Sequence, residues 1–440
     1  MRLFGIRLLP GNQAKFGRGQ FLTVSLLLGS LLLLTAYPAE TAEAQITPQP
    51  RLELATTSGP TGMLLTVRGY NLKNPLCNLA YLYVRENNFN TLASLPIGMA
   101  GIRKDGTFIW QGPLPRAGIR LYAPNENSYT VPTGRVTIYF GLLQGPCVSA
   151  QADFIVTDNT NGPFVTDSDF GYNAVYNVWN RTDSLISNNS VSRSWLWGPL
   201  DLGQGVVSIM EAYQEAPNGW RSVTYFDKSR MEVTNPNVFN RTDPYYVTNG
   251  LLARELITGQ LQLGNNLFEK RDGANIGVAG DVDDMFGPTY AALNKVISNP
   301  APNETGIPIA ASIDRSGNVR LDIGDYGRKW QVRAAYYEPA VKHNIAGPFW
   351  SFLNQSGKVL DSQSKAVTGR LFDPVYYATG LPITEAYWAQ VKVGGVAKDV
   401  LIQAFERRVL TFTPTNSPAF QVEMGNVGQH YYNWRYGIPK

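Results

Sequence analysis

The acidic residues carry most of the chemistry this chain could do. Glu232, Glu255, Glu385, Glu406 and Glu423 fall in or beside two similar stretches of sequence. Paired carboxylates of this kind could cut a glycosidic bond, one as acid and the other as base or nucleophile. The competing expectation is structural. An alternation such as Lys228-Ser229-Arg230-Met231-Glu232 ordinarily gives a strand with a solvated face, and Asp227 and Glu406, each following a Phe, fit pairing with a neighbouring Arg or capping a turn. Asp281, Asp283 and Asp284 bunch hard oxygen donors as a calcium loop does. Met285 and Phe286 then stand where such a loop needs an oxygen donor and a Gly, and no Glu closes a twelve-residue loop, so the expectation is a solvated acidic turn. Only two histidines exist, His343 and His430, which leaves no His-rich metal site and no H-E-x-x-H helix. No G-x-S-x-G elbow occurs, and no cofactor motif is read. The expected catalytic set is therefore empty.

Aromatic side chains are the other candidates. Trp195, Trp197, Trp220 and Trp388 lie in the repeat region, the first three near Gly, Pro or Asn turns, where exposed flat rings could stack on a glycan. The alternative is that these rings fill small cores, since one aromatic buries about 150–250 Å².

What must position these groups is a motif that occurs twice. Tyr225-Phe226-Asp227-Lys228-Ser229-Arg230-Met231-Glu232-Val233 answers Ala404-Phe405-Glu406-Arg407-Arg408-Val409-Leu410-Thr411-Phe412. Both are read as one strand around a central Phe. Glu211-Ala212-Tyr213 precedes the first and Glu385-Ala386-Tyr387 the second; Val247 to Leu252 answers Val422 to Val427, and Trp179-Asn180 answers Leu353-Asn354. Four landmarks in one order predict a duplicated unit.

Residues 1–44 read as an export signal. Arg2, Arg7, Lys15 and Arg18 precede an apolar run of 16 residues, Phe21 to Ala36, and Ala42-Glu43-Ala44 offers a cleavage site. The alternative is an uncleaved single-span anchor, which would add a membrane contact. Cleavage removes four basic and two acidic residues, taking the formal charge from +4 to +2. A nearly neutral chain with 16% charged residues and no basic stripe does not fit a nucleic-acid partner. Cys77 and Cys147 are an even pair in an exported chain, which predicts a disulfide; two buried free thiols are the alternative.

With 42 Gly, 28 Pro and short alternating runs, the expected class is multi-domain and β-rich. Residues 47–157 read as a sandwich of about seven strands, with a hairpin at Asp105-Gly106. Residues 158–166 read as a linker, 167–264 as the first repeat unit, 265–343 as a β-rich middle section, and 344–440 as the second unit.

Two resemblances accompany this reading. Ser58-Gly59-Pro60-Thr61-Gly62-Met63-Leu64-Leu65-Thr66-Val67-Arg68-Gly69-Tyr70-Asn71-Leu72 is similar to the opening of immunoglobulin-like IPT/TIG domains, with Gly69 read as allowing a bend. Gly380-Leu381-Pro382-Ile383-Thr384-Glu385, Gln403-Ala404-Phe405-Glu406 and Leu410-Thr411-Phe412-Thr413-Pro414, followed by Val422, Gly425 and Val427, resemble LGFP repeats. The departures are Thr379-Gly380-Leu381-Pro382 in place of L-G-F-P and Arg408 in place of a Gly. The resemblances imply an Ig-like β-sandwich followed by a duplicated α+β region, in a bacterial cell-envelope or extracellular protein. With the missing enzymatic signatures, the expected role is non-catalytic, in contact with wall polymer or another surface protein; the alternative is a glycan-acting hydrolase using the carboxylates above.

Overall fold

The structure, a computed structural model, describes residues 49–72, 79–86, 95–103, 105–118, 129–141, 150–165, 172–200, 206–236, 243–297, 299–321 and 325–437. The export segment 1–44 and both cysteines, Cys77 and Cys147, lie outside these residues. Two units are distinguished, 1–47 and 48–440, and everything below belongs to the second. It is β-rich, with several sheets and short helices. No helix among the described residues is long and apolar enough to cross a membrane.

The N-terminal strands are β1 (Arg51–Leu54), β2 (Leu64–Tyr70), β3 (Leu79–Glu86), β4 (Leu95–Gly101), β5 (Phe108–Pro113), β6 (Gly134–Gly141) and β7 (Ala150–Val156). β1, β2 and β5 make one sheet, while β4, β3, β6 and β7 run side by side in a larger one. Leu65, Val67, Trp110, Ile97, Ile138 and Phe154, drawn from both sheets, are buried in one core. Gly69 is paired on both sides near the end of its strand, opposite Leu52 and Phe108, two residues before Asn71 at φ 59°. A Cβ on Gly69 would lie 2.1 Å from the Phe108 ring, so the glycine makes room for that ring across the β2–β5 ladder. Asp105-Gly106 does form a tight turn, with Gly106 at φ 84°, but β4 and β5 on either side of it go to different sheets. The expected linker is fastened down as well: the Thr61 N–H donates to the Asp158 carbonyl, and Phe164 and Val165 pair with Ala117 and Gly118.

The larger sheet continues into the region read as the first repeat. β8 (Val207–Ala212) pairs with β4, and a meander follows through β9 (Trp220–Tyr225), β10 (Arg230–Val233) and β11 (Thr248–Asn249). The helix α1 (Tyr172–Thr182) precedes this meander and α2 (Leu252–Thr258) follows it. Near the C-terminus α3 (Gly347–Leu353) is followed by β12 (Tyr387–Val393), β13 (Val396–Ala404), β14 (Val409–Phe412), β15 (Val422–Met424) and α4 (Val427–Tyr436). From the middle section, Ser312–Ile313 pairs in parallel with β12, and Val319–Arg320 forms the edge beyond it.

The expected single strand around each Phe is in fact a hairpin. β9 ends at Tyr225, the Phe226 N–H bonds the Ser229 carbonyl at 2.8 Å, and β10 leaves at Arg230; Phe405 and Arg408 repeat this at 2.8 Å. The polar triplets Asp227-Lys228-Ser229 and Glu406-Arg407-Arg408 are the turns. Further correspondences follow. Gly250 N–H donates to the Arg230 carbonyl and Gly425 N–H to the Val409 carbonyl, each at 2.9 Å. Leu251 and Asn426 then start α2 and α4 at φ/ψ of −75/44° and −78/48°. Phe226, Met231, Phe405 and Leu410 are buried in one core; Val223, Leu252, Ile402 and Val427 are buried in the other.

One landmark is out of register. Ile209 lies opposite Val223 and Tyr387 opposite Ile402, so Tyr387 answers Ile209 and not Tyr213. The first meander joins β8 to β9 through residues 213–219; the second joins β12 to β13 through Gly394 and Gly395, at φ 61° and 79°, a two-residue turn.

Candidate functional site

The two hairpin turns hold each other's helices. Gln429 N–H, in the first turn of α4, donates to the Asp227 carbonyl at 3.0 Å, and Arg254 N–H, in the first turn of α2, donates to the Glu406 carbonyl at 3.0 Å. Each turn also lies against a glycine with left-handed backbone. A Cβ on Gly198 would come within 3.0 Å of the Asp227 side chain, and one on Gly380 within 2.7 Å of the Glu406 carboxylate. The Lys228 N–H then bonds the Trp197 carbonyl, and the Arg407 N–H bonds the Thr379 carbonyl. Trp197 itself is held from behind. The Asp183 carboxylate accepts from the Leu196, Trp197 and Gly198 amides, and burial pushes it up to about 6 against the pull of those three donors.

Beside this junction lies a sealed lattice of three glutamates and three arginines. Glu211 on β8 is opposite Arg221 on β9, and Glu232 on β10 reaches Arg221 at 2.7 Å. Arg230 sits at the centre, contacting Glu232 at 2.7 Å, Glu255 of α2 at 3.4 Å and Glu211 at 3.5 Å. Arg435 of α4 closes the ring on Glu211 at 2.9 Å. Tyr225 and Tyr436 donate to Glu211, and Tyr431 and the Gln262 amide donate to Glu255. The six charged side chains are at most 8% exposed. Gly250 is required beside them, because a Cβ there would lie 2.6 Å from the Glu232 carboxylate and 2.7 Å from Arg230 Nε.

Electrostatics set the two outer glutamates apart. Burial opposes the charge on Glu211, but Arg435, Arg230 and Arg221 outweigh it and hold the carboxyl at about 2. Burial raises Glu255, with Arg230 and Tyr431 only partly offsetting it. A raised acid beside a lowered one is a pattern used in glycosidases. Here a guanidinium separates the pair and neither carboxylate meets solvent, so the arrangement binds strands to helices rather than presenting acids to a substrate.

The sequence candidates are placed as follows. Glu232 and Glu255 come together through Arg230. Glu385 accepts from His343 Nδ1 at 2.9 Å and from the Asn344 amide, while Glu406 accepts from the Leu381 N–H, and Glu423 lies on β15. His430 faces the Tyr290 hydroxyl at 3.0 Å; burial, with Lys228 adding, lowers its imidazole to about 4. The acidic turn is engaged with protein groups. Asp281 accepts from the Gly394 and Gly395 amides, Asp284 from the Lys392 and Gly287 amides, and Asp283 pairs with the Lys392 ammonium. Among the described residues no three His, Cys, Asp or Glu side chains converge as a metal site.

Two of the four candidate tryptophans are not surface rings. Trp388 is fully buried and stacks with Tyr326 at 5.5 Å and Trp330 at 6.2 Å. Trp197 is 3% exposed, with Nε1 donating to Thr182 Oγ1 at 3.0 Å and Arg408 over its ring at 5.6 Å. Trp195 and Trp220 are half-buried and remain accessible. The lattice was missed because Arg230 and Glu232 read as a solvated alternation. A usable signal was the scarcity of charge, at 16%, beside acids and arginines embedded in β-rich runs.

No protein-family model matches the chain, and no curated protein matches it. Among solved structures it is similar to Spo0M, the sporulation control protein from Bacillus subtilis, at 11% identity over 42% of this chain and 77% of that one. The TM-score of 0.12 is too low to carry an argument.

Proposed function

We propose that this is an exported cell-envelope protein with a non-catalytic binding or structural role, in contact with wall polymer or another surface protein. The observation that carries the reading is the sealed lattice: Glu232 and Glu255, carboxylates that a glycan hydrolase could have used, are held inside with Glu211 by Arg221, Arg230 and Arg435. Export rests on the basic segment, apolar run and Ala42-Glu43-Ala44 site at the N-terminus.

The architecture behind the role is an Ig-like, IPT/TIG-like sandwich followed by one LGFP-like α+β unit used twice. Support for the duplication is the matched turns at Phe226 and Phe405, the matched Gly250 and Gly425 bonds, and the exchange of helix contacts between the turns. A pair of similar units that grip each other makes a stiff body, suited to holding a surface steady rather than to opening and closing around a substrate.

Co-sedimentation of residues 45–440 with purified cell-wall sacculi tests the wall contact. Retention that falls when Trp195 and Trp220 are both changed to Ala supports it. Protein left wholly in the supernatant removes wall polymer as the partner.

A further inference from the structure

The hairpin of Ser356–Leu360 and Ala366–Arg370 forms a two-stranded sheet of its own and sorts its side chains by face. Val359 and Val367 pack inward on the protein core. Ser356, Lys358, Thr368 and Arg370 alternate with them and are exposed. Ser356 lies directly opposite Arg370, and Lys358 directly opposite Thr368. Two cations and two hydroxyls therefore make one block on the outer face. We propose that this block binds phosphate groups of an anionic wall polymer.

Charge complementarity carries the choice of partner. Two further cations stand behind the block, where Gly357 and Gly369 are paired on the inner face. A Cβ on Gly357 would lie 3.5 Å from Arg193 Nη1, and one on Gly369 4.0 Å from Arg181 Nη2. These guanidiniums are engaged with carbonyls: Arg193 donates to Lys358 and Thr182, and Arg181, in the last turn of α1, to Arg370 and Leu371. On the outer face Arg370 donates to the Phe372 carbonyl and Asn354 Oδ1. The Lys358 ammonium and the Ser356 and Thr368 hydroxyls hold no bond among the described residues. None of the four cations forms an ion pair with a described carboxylate. Nor do the local acids balance the charge. Residues 172–200 and 354–373 together hold five Lys and Arg against three Asp. Asp183 is sealed against three amides, and Asp361 accepts from the Gln363 and Lys365 amides of its own turn, which leaves Asp373 beside Arg181. Excess positive charge with unengaged ammonium and hydroxyl donors selects an oxyanion. The tetrahedral oxygens of a phosphate reach Lys358, Arg370 and a hydroxyl together, whereas a flat carboxylate presents its two oxygens in one plane.

The inference rests on the wall-contact reading and adds the charge of the polymer; Trp195, assigned to that contact, lies two residues from Arg193. Calorimetry of residues 45–440 with inorganic polyphosphate is combined with retention on sacculi before and after hydrofluoric acid strips their phosphodiester polymers. The expected results are polyphosphate binding that weakens with added salt, retention lost on stripped sacculi, and an affinity at least about tenfold lower for K358Q/R370Q. K358Q alone, which breaks no bond within the described protein, should lose at least about threefold. The control R51Q/R135Q removes two exposed cations from the sandwich and should bind as the parent does. Equal retention on stripped and untreated sacculi overturns the phosphate assignment and leaves the wall contact standing, while no retention on untreated sacculi overturns both. A loss in R51Q/R135Q equal to that in K358Q/R370Q, or polyglutamate bound as tightly as polyphosphate, also overturns the proposal, the first because net charge alone then acts and the second because any polyanion then serves.

Discussion

Replacing Arg230 by Met isolates the lattice. The side chain is wholly buried and touches Glu211, Glu232 and Glu255, so its loss leaves three buried carboxylates with only Arg221 and Arg435. Glu255 is worst served, keeping the Tyr431 hydroxyl and the Gln262 amide but no close cation. Breaking a buried ion network from one side costs about 3–5 kcal/mol, against about 0–1 kcal/mol for a surface pair. The pH dependence gives an independent sign. In the parent protein Glu211 is depressed from 4.5 to about 2, so its contribution, roughly 3 kcal/mol, is complete above pH 4.5 and is lost as pH falls through 2. In R230M, Glu255, already raised, rises further. An acid raised in the folded state stabilises most when protonated, so the variant recovers part of its deficit as pH falls from 7 towards 4.5. Urea unfolding followed by tryptophan fluorescence at pH 7 and pH 4.5 measures both effects. The double variant R230M/E255Q should regain more than about 1 kcal/mol at pH 7, since it removes the stranded charge. A deficit under about 1 kcal/mol at pH 7, or one that does not narrow at pH 4.5, would refute the assignment.

Other outcomes follow from the same geometry. Gly428→Ala places a Cβ 2.0 Å from the Phe226 carbonyl and should cost about 2–3 kcal/mol in urea unfolding, with α4 displaced from the turn. Asp183→Ala orphans the amides of Leu196, Trp197 and Gly198 and should cost about 3 kcal/mol or more, read in the same assay. Arg408, which burial, with Arg407 adding, brings down to about 9, bonds Asn249 Oδ1 and the Arg407 carbonyl and lies over the Trp197 ring but has no carboxylate partner among the described residues, so Arg408→Met should be neutral or stabilising by up to about 1 kcal/mol in urea unfolding. His430 should titrate near pH 4 by NMR, and a midpoint above pH 6 would contradict its burial against Tyr290.

How much of this was legible depends on whether the signal was local. Phe226 and Phe405 open turns with the same bond, and Gly250 and Gly425 make the same backbone bond, because turn geometry and a close backbone approach are imposed by adjacent residues. The reading of each stretch as one strand failed at the same place: alternation across Asp227-Lys228-Ser229 looks continuous in one dimension, and only the Phe226–Ser229 bond reveals the reversal. Glu211-Ala212-Tyr213 and Glu385-Ala386-Tyr387 look alike yet differ in register, because the first triplet closes β8 whereas the second leads into β12. The lattice was illegible for a different reason. Arg435 reaches Glu211 across more than two hundred residues, and a charge whose partner is that distant resembles a solvated one. Trp388 is similar, since the rings stacked on it, Tyr326 and Trp330, come from the middle section.

Hydrogen exchange of the native protein tests most directly the proposal that two similar units grip each other through their turns. The amides of Arg254 and Gln429, which bond the Glu406 and Asp227 carbonyls, should exchange as slowly as those of the central strands β9 and β13 and should lose protection together under mild denaturant. Fast exchange at either amide while the strands stay protected would mean that the helices are not held by the opposite turns.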